Sequence, residues 1–221
     1  MVALPIVVLC SRRGSNLQAL IDVNSAGALP ISIRAVLSDR PGCEALERAR
    51  DAGIATDAMR PRDFPSRREF DEALFARASD FDPALVVLAG YMRVIDDAVV
   101  RAWHGRMINI HPSLLPRHPG LHTHAGALAA GDNQHGASVH YVTPELDGGP
   151  VIAQVAMPIL TSDRADDLAR RLLPLEHRLL VASVALLAAG AIELDGDHVL
   201  YRGSALAAPL KMDEHGVLRA G

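Results

Sequence analysis

Apolar residues enter this chain in short blocks separated by amphipathic stretches. Leu4 to Cys10 is a β-branched apolar block, short enough for a central parallel strand. Ile31 to Ser38, Ile54 to Met59, Leu85 to Leu88 and Met107 to Ile110 repeat the pattern. Helical stretches lie between them. The first opens at Asn16 and puts Leu17, Leu20 and Ile21 on one stripe. Cys43 to Ala52 is closed by Gly53, and Ser66 caps a helix to about Ser79 with Glu69 at the capping-box position. Asp96 to Trp103 reads as a short helix. Gly120 to Ala130 contains another, ended by Gly131. Ala137 to Val142 and Val151 to Ile159 alternate or run apolar as strands. A long helix is expected from Arg164 to about Ala189, with Leu168, Leu172, Leu175, Leu179 and Leu186 on its apolar face. Pro174 inside it predicts a kink or a split. Two short strands around Gly196 follow. This alternation predicts an α/β, Rossmann-like fold: a mostly parallel twisted sheet flanked by helices. The expected organisation is one domain over residues 1–190, with parts of about 1–105 and 106–190, and a tail over 191–221.

Hydrophobic residues make up 49 % of the 221, enough for one sizeable core. A net charge of −4 gives no basic footprint for nucleic acid, and 4 % aromatics are too few for a base-stacking surface. No apolar run is long enough to span a membrane, and the N-terminus lacks the positive segment of a signal peptide. Two cysteines, Cys10 and Cys43, make no disulfide framework. They read as packing residues in a reduced cytoplasm.

The polar chemistry sits at strand ends. Ser11-Arg12-Arg13-Gly14-Ser15-Asn16 leads from the first strand into the first helix, and Gly14 permits a positive-φ turn. That turn is either an anion site built from helix-start N–H groups or an ordinary connection without a ligand. A dinucleotide fingerprint is not met, because only one of its glycines is present. Ligands of parallel sheets lie off the carboxyl ends of strands, which places the turns after Cys10, Leu88 and Ile110 on one edge. Asn109 and His111 stand two apart on their strand and point to one face. Pro112, Pro116 and Pro119 predict an extended exit from it. Asp147 follows in a Gly-rich turn. An amide, an imidazole and a carboxylate are the parts of an acyl-transfer site. Singly, each has a plainer reading as a turn residue or a hydrogen-bonded structural histidine. Ten histidines raise the question of a metal, and His122 and His124 could share a face near His111. No carboxylate or thiol stands at a ligand spacing beside them, so none is expected. Ser113 has no positioned base and is not read as a nucleophile.

The stretches I-N-I-H-P-S-L-L-P, P-G-L-H-T-H, H-G-A-S-V-H and E-L-D-G-G-P resemble the folate-dependent formyltransferase family, as do G-S-N at Gly14 to Asn16 and A-G-Y-M-R at Ala89 to Arg93. The resemblance is to the purine-synthesis members and covers roughly residues 4–187. It implies 10-formyltetrahydrofolate as formyl donor, the glycyl amine of glycinamide ribonucleotide as acceptor, and no metal. It implies that Gly14, Ser15 and Asn16 hold the acceptor's phosphate, with Arg12 and Arg13 beside them. Arg67 and the backbone around Met92, Arg93, Val94 and Ile95 would bind the folate, helped by Asn109 and the Asp147 loop. Asn109, His111 and Asp147 would carry out the transfer, and Glu176 would touch the ribose. Two positions depart from the family pattern: Arg12 stands where the turn has its first glycine, and Pro174-Leu175 replace polar residues before Glu176. The resemblance allows a homodimer. The alternatives are a formyltetrahydrofolate hydrolase and a non-catalytic phosphate-binding module using only the Gly14 turn.

Overall fold

The structure, a computed structural model, describes residues 3–220. The reading of an N-terminus without a targeting segment begins on Met1 and Val2, which lie outside the described residues. The chain forms two compact units, one ending at Asn109 and one starting at Ile110.

The first unit alternates strand and helix as expected. It holds β1 (Leu4–Cys10), α1 (Ser15–Ser25), β2 (Ile31–Ser38), α2 (Glu44–Asp51), β3 (Ala55–Ala58), α3 (Arg67–Ser79), β4 (Leu85–Leu88) and α4 (Asp97–Ala102). It closes on the first residues of β5 (Met107–His111). The strands lie in the order β5-β4-β1-β2-β3 and all pair in parallel. Ile6, Val7, Val8 and Leu9 are fully buried, as a β-branched strand covered on both faces requires. Leu17 and Leu20 of α1 are fully buried too. The Glu69 amide donates to Ser66 Oγ (3.2 Å) and the Ser66 hydroxyl to Glu69 Oε1 (3.1 Å), the expected cap. Leu9 stands beside Leu88, and Leu88 beside Asn109, so β1, β4 and β5 end together on one edge. The strand order reverses between β1 and β4, which is where open parallel sheets place ligands.

The second unit contains α5 (Thr123–Ala129), β6 (Gln134–Tyr141), β7 (Val151–Pro158) and α6 (Ala165–Ala188). Its tail adds β8 (Ile192–Asp195), β9 (His198–Tyr201), β10 (Ser204–Ala205), β11 (Leu210–Met212) and β12 (Leu218–Arg219). β6 and β7 are antiparallel, β11 adds in parallel to β7, and β12 pairs antiparallel to β11. β8 and β9 are the expected hairpin at Gly196. β6 starts earlier than alternation suggests, because Gln134 and Gly136 break the apolar pattern yet pair with Pro158 and Ala156. Among the described residues no helix is long and apolar enough to cross a membrane.

Three expectations need correction. The helix does not split at Pro174: α6 runs 24 residues through it. Pro174 is exposed, so the carbonyl four residues back that its ring leaves without a donor can turn to water. The buried stripe of α6 also differs, running through Leu168, Leu172, Glu176, Leu179, Leu180, Ser183 and Val184, with Leu175 and Leu186 half-buried. The exit from β5 is non-helical but not extended. It folds back on itself, with Ser113 N donating to His111 O (2.9 Å), Ser113 Oγ to Arg117 O (2.7 Å) and Arg117 N to Leu114 O (3.0 Å). The Leu115–Pro116 peptide is cis, and His118, Gly120 and His122 have positive φ.

Candidate active site

In the first unit, Gly14 caps α1 with φ 71°. A Cβ there would lie 2.7 Å from Ala45 Cβ and 2.8 Å from Ala45 Cα, so glycine is required by conformation and by packing. The amides that begin α1 follow this turn, the arrangement that suits an anion. Arg12 is not among the residues with positive φ, so the turn does not need the glycine it replaces. Its carbonyl accepts from Ala45 N (3.1 Å), and the Arg13 carbonyl accepts from Arg48 Nε (2.8 Å). Both arginine side chains are exposed, while Asn16 is buried.

The 92–95 segment lies beside this turn: the Met92 amide donates to Ser11 Oγ (2.9 Å) and Ser11 N donates to Gly90 O (3.1 Å). Arg93 lies over the Phe70 ring, 5.2 Å from its centre. Arg67 approaches Asp96 at 4.0 Å. Met92 and Val94 are exposed apolar side chains, and Ile95 is buried. Asn109 ends the unit on β5. Cys10 and Cys43 are free and buried, and burial, aided by the neighbouring Cys43, pushes the Cys10 thiol well above its usual range. That makes Cys10 a packing residue and not a nucleophile.

In the second unit, His111 and Asp147 meet. His111 Nδ1 lies 3.4 Å from Asp147 Oδ2, with side chains 7 % and 11 % exposed. His111 Nε2 lies 3.0 Å from the carbonyl of His118. The ring therefore has an oxygen before each nitrogen: the His118 carbonyl in hydrogen-bond contact with Nε2, and the Asp147 carboxylate at ion-pair distance from Nδ1. Asp147 Oδ2 also accepts from Gly120 N (2.8 Å). Asp147 has φ 51°, in a turn where Gly148 N donates to Glu145 O (3.1 Å). The next glycine is forced by close approach, since a Cβ at Gly149 would lie 1.9 Å from the Tyr141 carbonyl. Glu176 lies buried on α6, and the Pro174-Leu175 departure leaves it on the helix's inward stripe.

Sequence reasoning missed His140, His118 and Gly120. His140 Nε2 lies 3.7 Å from Asp147 Oδ1, and its Nδ1 lies 2.8 Å from the Tyr141 carbonyl. Burial lowers the pKa of His140, against smaller raising effects of that carbonyl and of Asp147. The signal available was its phase: Ser138 and His140 are two apart on β6 and share a face. His118 Nε2 lies 2.7 Å from Asp132, which also holds Arg117.

His124 pairs with His135. Its Nδ1 lies 2.8 Å from His135 Nε2, and the rings meet edge to face. One imidazole must donate and the other accept, so the contact requires at least one neutral ring. Burial lowers both pKa values, that of His135 from 6.5 to about 4. A depressed histidine pKa means that the unfolded chain takes up the proton first. Stability is full above pH 6.5 and falls as pH drops toward about 4. Urea midpoints measured across this window should decrease with acidification, and His135→Asn should flatten the decrease.

The family described as "Formyl transferase" matches residues 4–184. Phosphoribosylglycinamide formyltransferase from Escherichia coli K12 is 46 % identical over 189 residues, 86 % of this chain and 89 % of the relative. The solved phosphoribosylglycinamide formyltransferase of Coxiella burnetii is 46 % identical, with a TM-score of 0.89 over 93 % of this chain and 96 % of that one. A formyltetrahydrofolate deformylase from Pseudomonas syringae shares the fold (TM-score 0.83) at 22 % identity, covering 90 % of this chain and 66 % of its own. The mostly parallel α/β architecture expected from the sequence is the one these structures share, and this chain belongs to the formyl transferase family.

Proposed function

We propose that this chain transfers the formyl group of 10-formyltetrahydrofolate to the glycyl amine of glycinamide ribonucleotide, as part of purine synthesis. The products are formylglycinamide ribonucleotide and tetrahydrofolate. The E. coli and C. burnetii relatives support the choice of reaction. The observation that carries the chemistry is the buried His111–Asp147 pair, with the carboxylate facing one ring nitrogen and the His118 carbonyl bonded to the other.

The neutral amine attacks the formyl carbon, and a tetrahedral oxyanion forms. Asn109 donates an N–H to that oxygen; one such donor is worth about 2.7–4 kcal/mol of barrier. The Nε2–H of His111 is engaged by the neutral His118 carbonyl in the resting geometry. A charged oxyanion is the stronger acceptor, so it wins this proton donor as charge develops. The interaction is thus stronger in the transition state than in the ground state, the condition for catalysis. The amine loses a proton with the help of Asp147, the leaving folate nitrogen gains one, and its bond to the formyl carbon breaks. Asp147 fixes the positive charge on His111. No acyl-enzyme forms, because the amine attacks directly.

In this reading Gly14, Ser15 and Asn16 receive the acceptor's phosphate on the helix-start amides, and Arg12 and Arg13 add positive charge. Glu176 contacts the ribose. Arg67, the 92–95 backbone and the Asp147 loop bind the folate, and the exposed Met92 and Val94 side chains offer van der Waals contact to the faces of its aromatic rings. Residues 1–190 act as one transferase domain in the cytoplasm, with 191–221 appended, and a homodimer is compatible with this arrangement.

A hydrolase would give the formyl group to water instead. An absorbance assay with both substrates, repeated without glycinamide ribonucleotide, separates the two. Folate product should accumulate only when the acceptor is present. Equal rates in both cuvettes would favour the hydrolase, and phosphate-ligand binding without turnover would favour a binding module.

A further inference from the structure

The stretch after His111 has an unusual mechanical problem. Leu114, Arg117 and His118 line a cavity of about 260 Å³ with Asp132, whose carboxylate holds the Arg117 and His118 side chains but not the backbone between Ser113 and Leu115. Yet the His118 carbonyl must sit 3.0 Å from His111 Nε2. Hydrogen bonds from the opposite side hold the loop. The Ser138 hydroxyl donates to Ser113 O (2.7 Å) and accepts from Leu115 N (3.1 Å). Gln154 Nε2 donates to Leu115 O (2.8 Å) and to Ser138 Oγ (3.0 Å). Ser113, Leu115, Ser138 and Gln154 are all buried, so these bonds do not exchange with water.

A carboxamide can be turned about its terminal bond, which would point its oxygen at the Leu115 carbonyl and repel it. Lys211 prevents this. Its ammonium group, which can only donate, lies 2.7 Å from Gln154 Oε1. Lys211 belongs to β11, which pairs beside Gln154 on β7. This strand lies beyond the last residue matched by the family description. We propose that Lys211 is a positioning residue for the transfer reaction: by fixing the Gln154 amide it holds the loop 113–118, and so the carbonyl that orients His111. The tail is then a working part of the site. The inference rests on the formyl-transfer reading above.

Lys211 is an exposed strand residue, so Lys211→Met leaves the buried core intact. The expected result is a kcat about tenfold lower with both KM values within twofold, since misplacing a catalytic group slows chemistry without removing substrate contacts. Each kcat is referred to the folded fraction measured on the same sample. Lys211→Arg restores the donor and should recover most of the rate. Gln154→Met should lower kcat at least as much, and adding Lys211→Met to it should cost nothing further. An unchanged kcat in Lys211→Met, or an additive double variant, overturns the proposal. Wild-type protein run alongside keeps the two ideas apart, because its turnover tests the reaction and the variants test the relay.

Discussion

Asp147→Asn should lower kcat by about 10²- to 10⁴-fold while leaving the fold and the thermal midpoint nearly unchanged. The geometry makes this an unusually clean substitution. Asp147 Oδ2 accepts from Gly120 N and faces His111, so the asparagine oxygen takes that position. Its NH₂ group then occupies the site of Oδ1, facing His140 Nε2. With its Nδ1 bonded to the Tyr141 carbonyl, a neutral His140 presents a lone pair on Nε2 that the new NH₂ group can meet, so what the substitution removes is the charge. The loss therefore reports the value of the carboxylate to the imidazolium and to the proton leaving the amine. Stopped-flow rates with saturating substrates, together with thermal melts, check both halves of the expectation. A variant within threefold of wild type would remove Asp147 from the chemistry.

His111→Ala should be more damaging, with turnover falling by about 10⁴-fold. The ring serves both as a charged donor to the oxyanion and as a proton carrier, and alanine removes both. The substitution also leaves the His118 carbonyl and Asp147 without their ring partner, so some loss of stability should accompany it. Acceptor affinity should survive, because Gly14, Ser15 and Asn16 lie on the α1 turn and are untouched. Equilibrium binding of glycinamide ribonucleotide to the variant, measured by calorimetry, separates lost chemistry from lost binding. Substantial turnover in His111→Ala would contradict the assigned role.

Much of the first unit was legible because its signals are local. The β-branched run of β1 and the Ser66 cap each need only a few neighbouring residues. Asn109 and His111 were legible as a pair because strand phase fixes their direction. Asp147 was legible as a carboxylate in a Gly-rich turn, but its meeting with His111 was not, since that depends on a left-handed turn and on Gly120. His140 was hidden because a histidine in an alternating strand reads as core. The path after Pro112 was misread because His118 and His122 adopt positive φ, which local propensity disfavours for such side chains. β11 is three residues long and owes its existence to β7, so nothing near it in sequence announces it. Lys211 and Gln154 are 57 positions apart, and no local pattern joins them. At Pro174 only the split was misjudged: a strong local breaker is tolerated inside one helix where water can serve the freed carbonyl.

The formyl group is expected to pass straight from folate nitrogen to glycyl nitrogen under the His111–Asp147 pair. Rapid-quench mixing of the enzyme with donor carrying an isotopic label in the formyl group, with and without acceptor, follows that passage. The expected result is label on glycinamide ribonucleotide alone, appearing in one phase, and donor left intact when the acceptor is withheld. Label attached to the protein, or formate released at the same rate without acceptor, would contradict it.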